Sequence, residues 1–471
     1  MSMDDLRIET TGVPGLLLVH LPVFSDNRGW FKENWQRKNM VDLGLPDFAP
    51  VQNNVSFNVR RGVTRGIHAE PWDKLVSVAT GRIFGAWVDL REGECFGRVV
   101  TMELGPETAV FVPRGVGNSY QTLEDATSYS YLVNDHWSPD ARDSYIFVNL
   151  ADASLDISWP ISLEDAEVSE ADRSHPELAD VEPVRALRAL VLGAGGQVGR
   201  ALCALLPGAH GVTRAELDLT SPDFEDAVNW GGYHVIYNTA AYTAVDEAET
   251  AEGRREAWRV NVGGTARLVE VARHHGIPLV HFSSDYVFDG VQEQHNEREP
   301  LSPLGVYGQT KAAADALVAT LPQHYILRTS WVIGGGGNFV TTMARLADEG
   351  VSPSVVCDQV GRLSFADDLA RAARHLVMER AEPGTYNVTC SGEETSWADI
   401  AAEVFRAKGR NPQDVTPVST EEYAVGKQMA PRPRRSTLDL TKLESTGFRP
   451  TPGAEALAAY LEGLGAGVGV Q

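Results

Sequence analysis

Two stretches of this 471-residue chain carry side chains suited to moving protons. In "VYGQTK", Tyr307 and Lys311 stand four residues apart, so on a helix they share one face. A lysine beside a phenol lowers its pKa, which lets the phenol pass a proton to or from a carbonyl or alkoxide near neutral pH. Upstream, "VHFSSDYVFDG" offers Ser283 and Ser284 at the carboxyl end of an apolar strand, where ligands collect in open α/β sheets. A hydroxyl, a phenol and an ammonium group converging there are the equipment of ketone reduction. In the first half, "RGVTRGIHAEPWDKLV" sets Arg65, His68 and Lys74 around one strand, a dense set of proton-handling groups for a β-rich region. A metal is the rival reading there, with His68 and Glu70 as the first ligands. Such a set needs a second histidine, and "VPRGVGNSYQ" supplies Asn118 instead, so no metal is expected.

The elements around these residues differ between the halves. "RALVLGAGGQVGRAL" reads as a strand, a glycine-rich turn and a helix start, with Gly193, Gly196 and Gly199 spaced to let backbone approach a pyrophosphate. Some twenty residues on, "GVTRAELDLT" ends a second strand beside the adenosine ribose, where Arg214 could hold a 2′-phosphate and favour NADPH over NADH. From residue 187 onward strands alternate with helical stretches, which predicts a parallel sheet covered by helices on both faces. Up to about residue 160 the chain shows short β-rich runs such as "KLVSVATG" and "TAVFVP" between Gly, Pro and Asp turns, the pattern of a sandwich or barrel. Residues 161–186 hold eight acids and two prolines among few large apolar residues, and read as a solvated linker. The expected organisation is 1–160, linker 161–186, and 187–471.

A net charge of −23 argues against nucleic acid or an anionic membrane surface as partner. No apolar run is long enough to span a bilayer and "MSMDDLRIET" lacks the features of a signal peptide, so a cytoplasmic protein is expected. Cys95, Cys203, Cys357 and Cys390 form no C-x-x-C pair and indicate neither disulfides nor a thiolate metal site.

The second half resembles dTDP-4-dehydrorhamnose reductase, an extended short-chain dehydrogenase/reductase with a Rossmann-type fold. The resemblance rests on "GAGGQVG", "NTAAYTAVDEAE", "SSDYVFDG", "VYGQTK", "ILRTSWV", "GGNFV" and "VVCDQVG" in that order. It implies a catalytic triad of Ser284, Tyr307 and Lys311, with serine where the family more often has threonine. It also implies NADPH or NADH binding by Gly193, Gly196, Gln197, Val198, Gly199, Arg214, Asp218, Leu219, Ala240, Ala241 and Tyr242. Tyr286, Trp331 and Asn338 match substrate-side positions, and Leu363-Ser364 behind Arg362 replaces a familiar Pro-Thr.

The first half resembles dTDP-4-dehydrorhamnose 3,5-epimerase, a metal-free cupin-like jelly roll, through "DNRGWFKENW", "VQNNVSFNVRRGVTRGIH", "GAWVDLREG", "YSYLVNDHWSP" and "ADASLDISWP". The resemblance implies His68 as general base oriented by Asp152, Lys74 at the enolate oxygen and Tyr131 as acid. Removing a proton α to a ketone needs such a base, and a cation beside the developing oxyanion. Arg28, Glu33, Gln52, Asn54, Arg65 and Trp137 are implied to bind substrate, the arginines at its diphosphate. The His68 to Lys74 spacing is shorter than usual, Asn118 stands at a frequent histidine, and Trp137 replaces a tyrosine.

Together the halves imply a bifunctional enzyme that epimerises C3 and C5 of dTDP-4-dehydro-6-deoxy-D-glucose and reduces C4 to give dTDP-L-rhamnose. A homodimer through the jelly roll is expected. The alternative is a dinucleotide-binding regulatory subunit fused to a non-catalytic nucleotide-sugar-binding cupin, against which the intact Ser284, Tyr307 and Lys311 speak.

Overall fold

The β-rich runs of the first half form two sheets because their apolar residues alternate, giving each strand one face for a shared core. The structure, a computed structural model, describes residues 6–137 and 145–465. In chain order the elements are β1 (Arg7–Thr10), β2 (Leu17–His20), β3 (Phe24–Asp26), β4 (Gly29–Phe31), α1 (Arg37–Asp42), β5 (Gln52–Asn58), β6 (Val63–Ala69) and β7 (Lys74–Thr80). They continue with β8 (Ile83–Asp89), β9 (Val99–Leu104), β10 (Thr108–Val112), β11 (Val116–Thr122), β12 (Thr127–Val133), β13 (Ile146–Phe147), β14 (Glu167–Val168) and α2 (Glu170–Arg173).

One sheet runs β1-β2-β10-β7-β12-β5 and the other β13-β6-β11-β8-β9, with β14 added in parallel beside β6. Val76, Val78 and Val110 of the first sheet meet Ile83, Trp87 and Val116 of the second in the core between them. The alternate residues Leu75, Ala109 and Phe111 pack outward on Met40 of α1. Truncating a side chain as buried as Phe111 to alanine would cost roughly 3–5 kcal/mol.

The chain divides into two compact units, Met1–Ala186 and Leu187–Gln471, and residues 161–186 are not the solvated linker their composition suggests. Val168 pairs with Thr64, and Val168, Leu178 and Val184 pack over Ile67, Val88 and Leu90 on the outer face of the second sheet. The scattered apolar residues of this acidic stretch are enough to dock it, because a sheet face is already waiting for them.

The second unit is built on β15 (Arg188–Leu192), β16 (His210–Val212), β17 (Tyr233–Asn238), β18 (Leu279–Ser284) and β19 (His324–Thr329), with the strand Gly384–Asn387 at the far edge. The sheet runs β16-β15-β17-β18-β19 and then that edge strand, all in parallel. Its strands are apolar on both faces. Ala189 and Val191 face one core with Leu202, Leu369 and Leu376, whereas Leu190 and Leu192 face the other with Leu268, Val269 and Val318. Helices α3 (Gln197–Leu205) and Ala366–Met378 cover the first face, and α5 (Thr265–His274) and α6 (Val306–Val318) the second; α4 (Ala251–Ala257) leads into α5 through a π-helical turn, Trp258–Gly264. A third cluster around Val340, Ile400 and Phe405 forms the core of the chain after β19.

Candidate active sites

In the first unit a cavity of about 470 Å³ opens between the sheets, lined among others by Arg65, His68, Glu70, Lys74, Tyr131 and Asp172. His68 lies on β6, and its Nε2 is 3.0 Å from Asp172 Oδ1. The carboxylate is delivered by the segment beyond β14. Ser169 caps α2 by accepting the Asp172 N–H, and this fixes Asp172 at the mouth of β6. Burial pushes the Asp172 carboxyl up, but the hydrogen bond and charge of His68, with His175 nearby, hold it below the usual carboxylate range. Asp152, expected to orient His68, does not do so. It caps the turn Ala153–Leu155, accepting from Ser154 N–H at 2.8 Å and Leu178 N–H at 2.6 Å. Both its oxygens therefore serve the backbone.

Lys74 is buried, its ammonium against the Glu70 carboxylate and 5.8 Å from the Tyr131 ring. Burial pulls it down to about 7. Burial, then Tyr120, raises the Tyr131 phenol, and Arg65 opposes them. Glu70 follows directly on β6 and Lys74 opens β7, so the short turn between the strands sets the two side chains together. His175 stacks on Phe147 at 4.7 Å and stands with its Nε2 3.9 Å from Asp172 Oδ1. His175, far along the chain from "VPRGVGNSYQ", thus supplies the second histidine that a ligand set with His68 would need.

In the second unit the glycines act as their spacing suggests. Gly193 has φ +76°, and a Cβ on Gly199 would strike the Gly193 carbonyl and come within 2.8 Å of Ala194 Cα. Only glycine lets the first turn of α3, with Gln197 and Val198, sit this close to the loop and leave a backbone cradle for a diphosphate. Arg214 pairs with Asp218 and Glu256, each at 3.3 Å, and Arg259 joins Glu256 at 2.7 Å. Ala240 donates its N–H to Asn238 Oδ1, and Tyr242 donates its N–H to Asn261 Oδ1 at 2.8 Å. Asn261, in the π-helical turn, also donates to Thr310 Oγ1 on α6, so one buried amide ties the dinucleotide loop to the tyrosine helix. Sequence reasoning passed over Asn261; a π-turn leaves no signal of its own in one sequence.

Ser284 ends β18, and its hydroxyl counters the upward push on the Tyr307 phenol at the start of α6. Its Oγ donates to Asp285 Oδ1 at 3.0 Å. Burial holds the Asp285 carboxyl up at about 6, against hydrogen bonds from Ser436 and Ser284. The sequence reading had Lys311 lower the Tyr307 pKa. Instead burial, then Asp285, pushes that phenol up, and the Lys311 Nζ donates to Phe282 O at 2.6 Å and lies 3.3 Å from His281 Nε2. Burial brings Lys311 down to about 8, opposed by Asp315.

Residues 187–465 match the family model described as RmlD substrate binding domain, and residues 10–180 match that of dTDP-4-dehydrorhamnose 3,5-epimerase. The chain belongs to both families. It is an epimerase–reductase fusion of dTDP-L-rhamnose biosynthesis. Over 182 residues it is 53% identical to a Streptococcus pyogenes serotype M6 protein named Protein RmlC homolog, covering 38% of this chain and 91% of that one. Over 299 residues it is 38% identical to an Aggregatibacter actinomycetemcomitans dTDP-4-dehydrorhamnose reductase, covering 58% of this chain and 99% of that one. A solved Bacillus anthracis dTDP-4-dehydrorhamnose reductase in complex with NADP is 33% identical, with a TM-score of 0.55 over 59% of this chain and 98% of that one.

Other expected substrate residues of the fusion are dispersed. Gln52 and Asn54 hydrogen-bond each other along β5, and Gln52 accepts the N–H of exposed Trp137. Arg28 is exposed on the β3–β4 hairpin and paired with Asp26, and Glu33 is exposed just beyond it. None of these lines the cavity that holds His68, whereas Arg65 does. In the reductase unit Tyr286 packs edge-on to Tyr307 at 5.8 Å and belongs to the site. Trp331 stacks on Trp397 at 4.0 Å. Asn338 caps the helix Phe339–Asp348, and its amide donates to Gly334 O and Tyr460 Oη, so its polar ends are spent on structure.

Proposed function

We propose that in the first site His68 takes the proton α to the ketone of dTDP-4-dehydro-6-deoxy-D-glucose, at C3 and at C5. Asp172 bears the resulting imidazolium, Lys74 steadies the enolate oxygen, and Tyr131 returns a proton from the other side. The observation that carries this reading is the 3.0 Å contact of His68 with Asp172 in the cavity lined by Lys74 and Tyr131. In the second site Ser284 holds the C4 ketone and Tyr307 gives it a proton. The glycine loop and Arg214 fit NADPH, which supplies the hydride when bound. Lys311, fixed by Phe282 O, stands behind Tyr307 to replace that proton.

We further propose that the jelly-roll unit forms a homodimer. Val55 and Phe57 stand exposed on the edge strand β5, and Phe24, Trp30 and Phe31 on the hairpin, an apolar set that a second copy would cover. Such a partner is also a way for Arg28 and Glu33 to reach a cavity. We infer a cytoplasmic enzyme, since nucleotide sugars and reduced nicotinamide are supplied there; no described helix is long and apolar enough to cross a membrane.

Two variants test the division of labour. With the 4-keto sugar in D2O, His68→Ala should incorporate little deuterium at C3 or C5, yet form rhamnose once an active epimerase is added. Tyr307→Phe should exchange normally while NADPH oxidation falls roughly 10²- to 10⁴-fold. Exchange that survives His68→Ala, or stops in Tyr307→Phe, overturns the assignment.

A further inference from the structure

His68, Asp172 and His175 offer one ligand atom each, all within 4.8 Å of one another. Two imidazoles and a carboxylate are a donor set that suits zinc and its neighbours in the transition series. Ligand atoms bound tetrahedrally to Zn²⁺ at about 2.0–2.1 Å lie roughly 3.3 Å apart. The 3.0 Å and 3.9 Å separations around Asp172 Oδ1 bracket that value, so the main adjustment is for His175 to draw in toward both Asp172 and His68. The outer support is in place too. Phe147 stacks against the His175 ring and holds its plane, with Nε2 turned to Asp172 and Nδ1 buried without a hydrogen-bond partner. Asp172 and His175 are nearly buried, whereas His68 is 32% exposed and faces the cavity, which leaves room for water in the fourth position.

We propose that His68, Asp172 and His175 form an inhibitory site for a divalent transition metal such as Zn²⁺, which silences epimerisation by binding His68 Nε2 beside Asp172, so that the ring keeps its one proton on Nδ1 and has no lone pair left for the substrate. The proton moves from Nε2 to Nδ1 as the metal takes its place; no bond of the substrate changes and no electron moves. The site is thus the opposite of a cofactor site, because the reaction needs His68 unligated. This inference rests on the reading of His68 as base, but the ligand set stands apart from it, since His175 has no step in the proposed chemistry.

The test uses the full chain, stripped with chelator. Metal-free enzyme should exchange protons of the 4-keto sugar with D2O at full rate; failure here refutes the epimerase reading and leaves the metal question to spectroscopy. Zn²⁺ at roughly ten times its apparent Kd should lower exchange about tenfold by mass action, while C4 reduction of pre-epimerised sugar continues. Co²⁺ should give the visible absorption of a four- or five-coordinate site with nitrogen ligands. His175→Phe keeps a ring on Phe147 but removes the nitrogen; it should exchange as the wild type does and lose both the inhibition and the Co²⁺ spectrum. His175→Gln repeats the test with a smaller change, and circular dichroism checks the fold of each. No Co²⁺ spectrum in the wild type, or equal zinc inhibition of wild type and both variants, overturns the proposal.

Discussion

Replacing Asp172 by asparagine keeps the shape of its side chain and removes the charge that His68 meets at 3.0 Å. Once His68 has taken a proton, the imidazolium and carboxylate centres are about 4 Å apart, worth roughly 4 kcal/mol at an effective dielectric near 20. His68 is 32% exposed, and solvent screens part of this, leaving about 2–3 kcal/mol. At about 1.4 kcal/mol per tenfold, Asp172→Asn should slow epimerisation about 30- to 150-fold. The assay is deuterium entering C3 and C5 in D2O, read by NMR, with C4 reduction of pre-epimerised sugar as internal control. Asp152→Ala is the contrasting variant. It removes hydrogen bonds to Ser154 and Leu178 and should lower Tm by about 2–4 °C without changing the exchange rate of folded enzyme. Exchange within threefold of wild type in Asp172→Asn, or an equal loss in Asp152→Ala, would refute the reasoning.

Arg214→Ala should raise KM for NADPH about tenfold and leave KM for NADH nearly unchanged, since only NADPH carries the 2′-phosphate; equal shifts count against the assignment. The Asp285 carboxyl, held up at about 6 against an ordinary 3.8, contributes its stability below the ordinary value and loses it as pH rises through about 4 to 6. Asp285→Asn should therefore raise Tm relative to wild type near about pH 8 and change it little near about pH 4, and a Tm difference that ignores pH would exclude this. Expressing the chain as two pieces divided between Ala186 and Leu187 should give two soluble fragments, each with its own partial reaction. A division between residues 165 and 170 should abolish proton exchange by detaching Asp172, and retained exchange would show that the carboxylate is dispensable.

The reductase chemistry was legible because its parts are local. Tyr307 and Lys311 sit on one helix, Ser284 ends the preceding strand, and glycine spacing reports directly on how close backbone must come. The epimerase set was legible only in part, because His68 meets a partner 104 residues away, and no periodicity encodes such a pairing. Two nearby acids competed for the role. Asp152 stands in a stretch with a recognisable motif, and Asp172 in one whose charge suggested solvent. The stretch nevertheless docks, since a few small and branched apolar residues suffice once a sheet face is there to receive them. Asn338 shows the reverse failure. An asparagine before a helical run reads equally as a ligand group or a cap, and only the bonds to Thr341, Gly334 and Tyr460 decide for the cap.

The late arrival of α2 gives the epimerase a schedule as well as a site. A ribosome adding roughly 5–20 residues per second needs about 5–20 s to go from His68 to Asp172. During that interval the outer face of the second sheet, with Ile67, Val88 and Leu90, waits without its cover. The first unit can therefore finish folding only as translation reaches the opening strand of the second, Arg188–Leu192. A nascent chain halted before residue 172 would carry the base without its carboxylate and an open apolar surface, a form that chaperones and proteases would treat as unfinished.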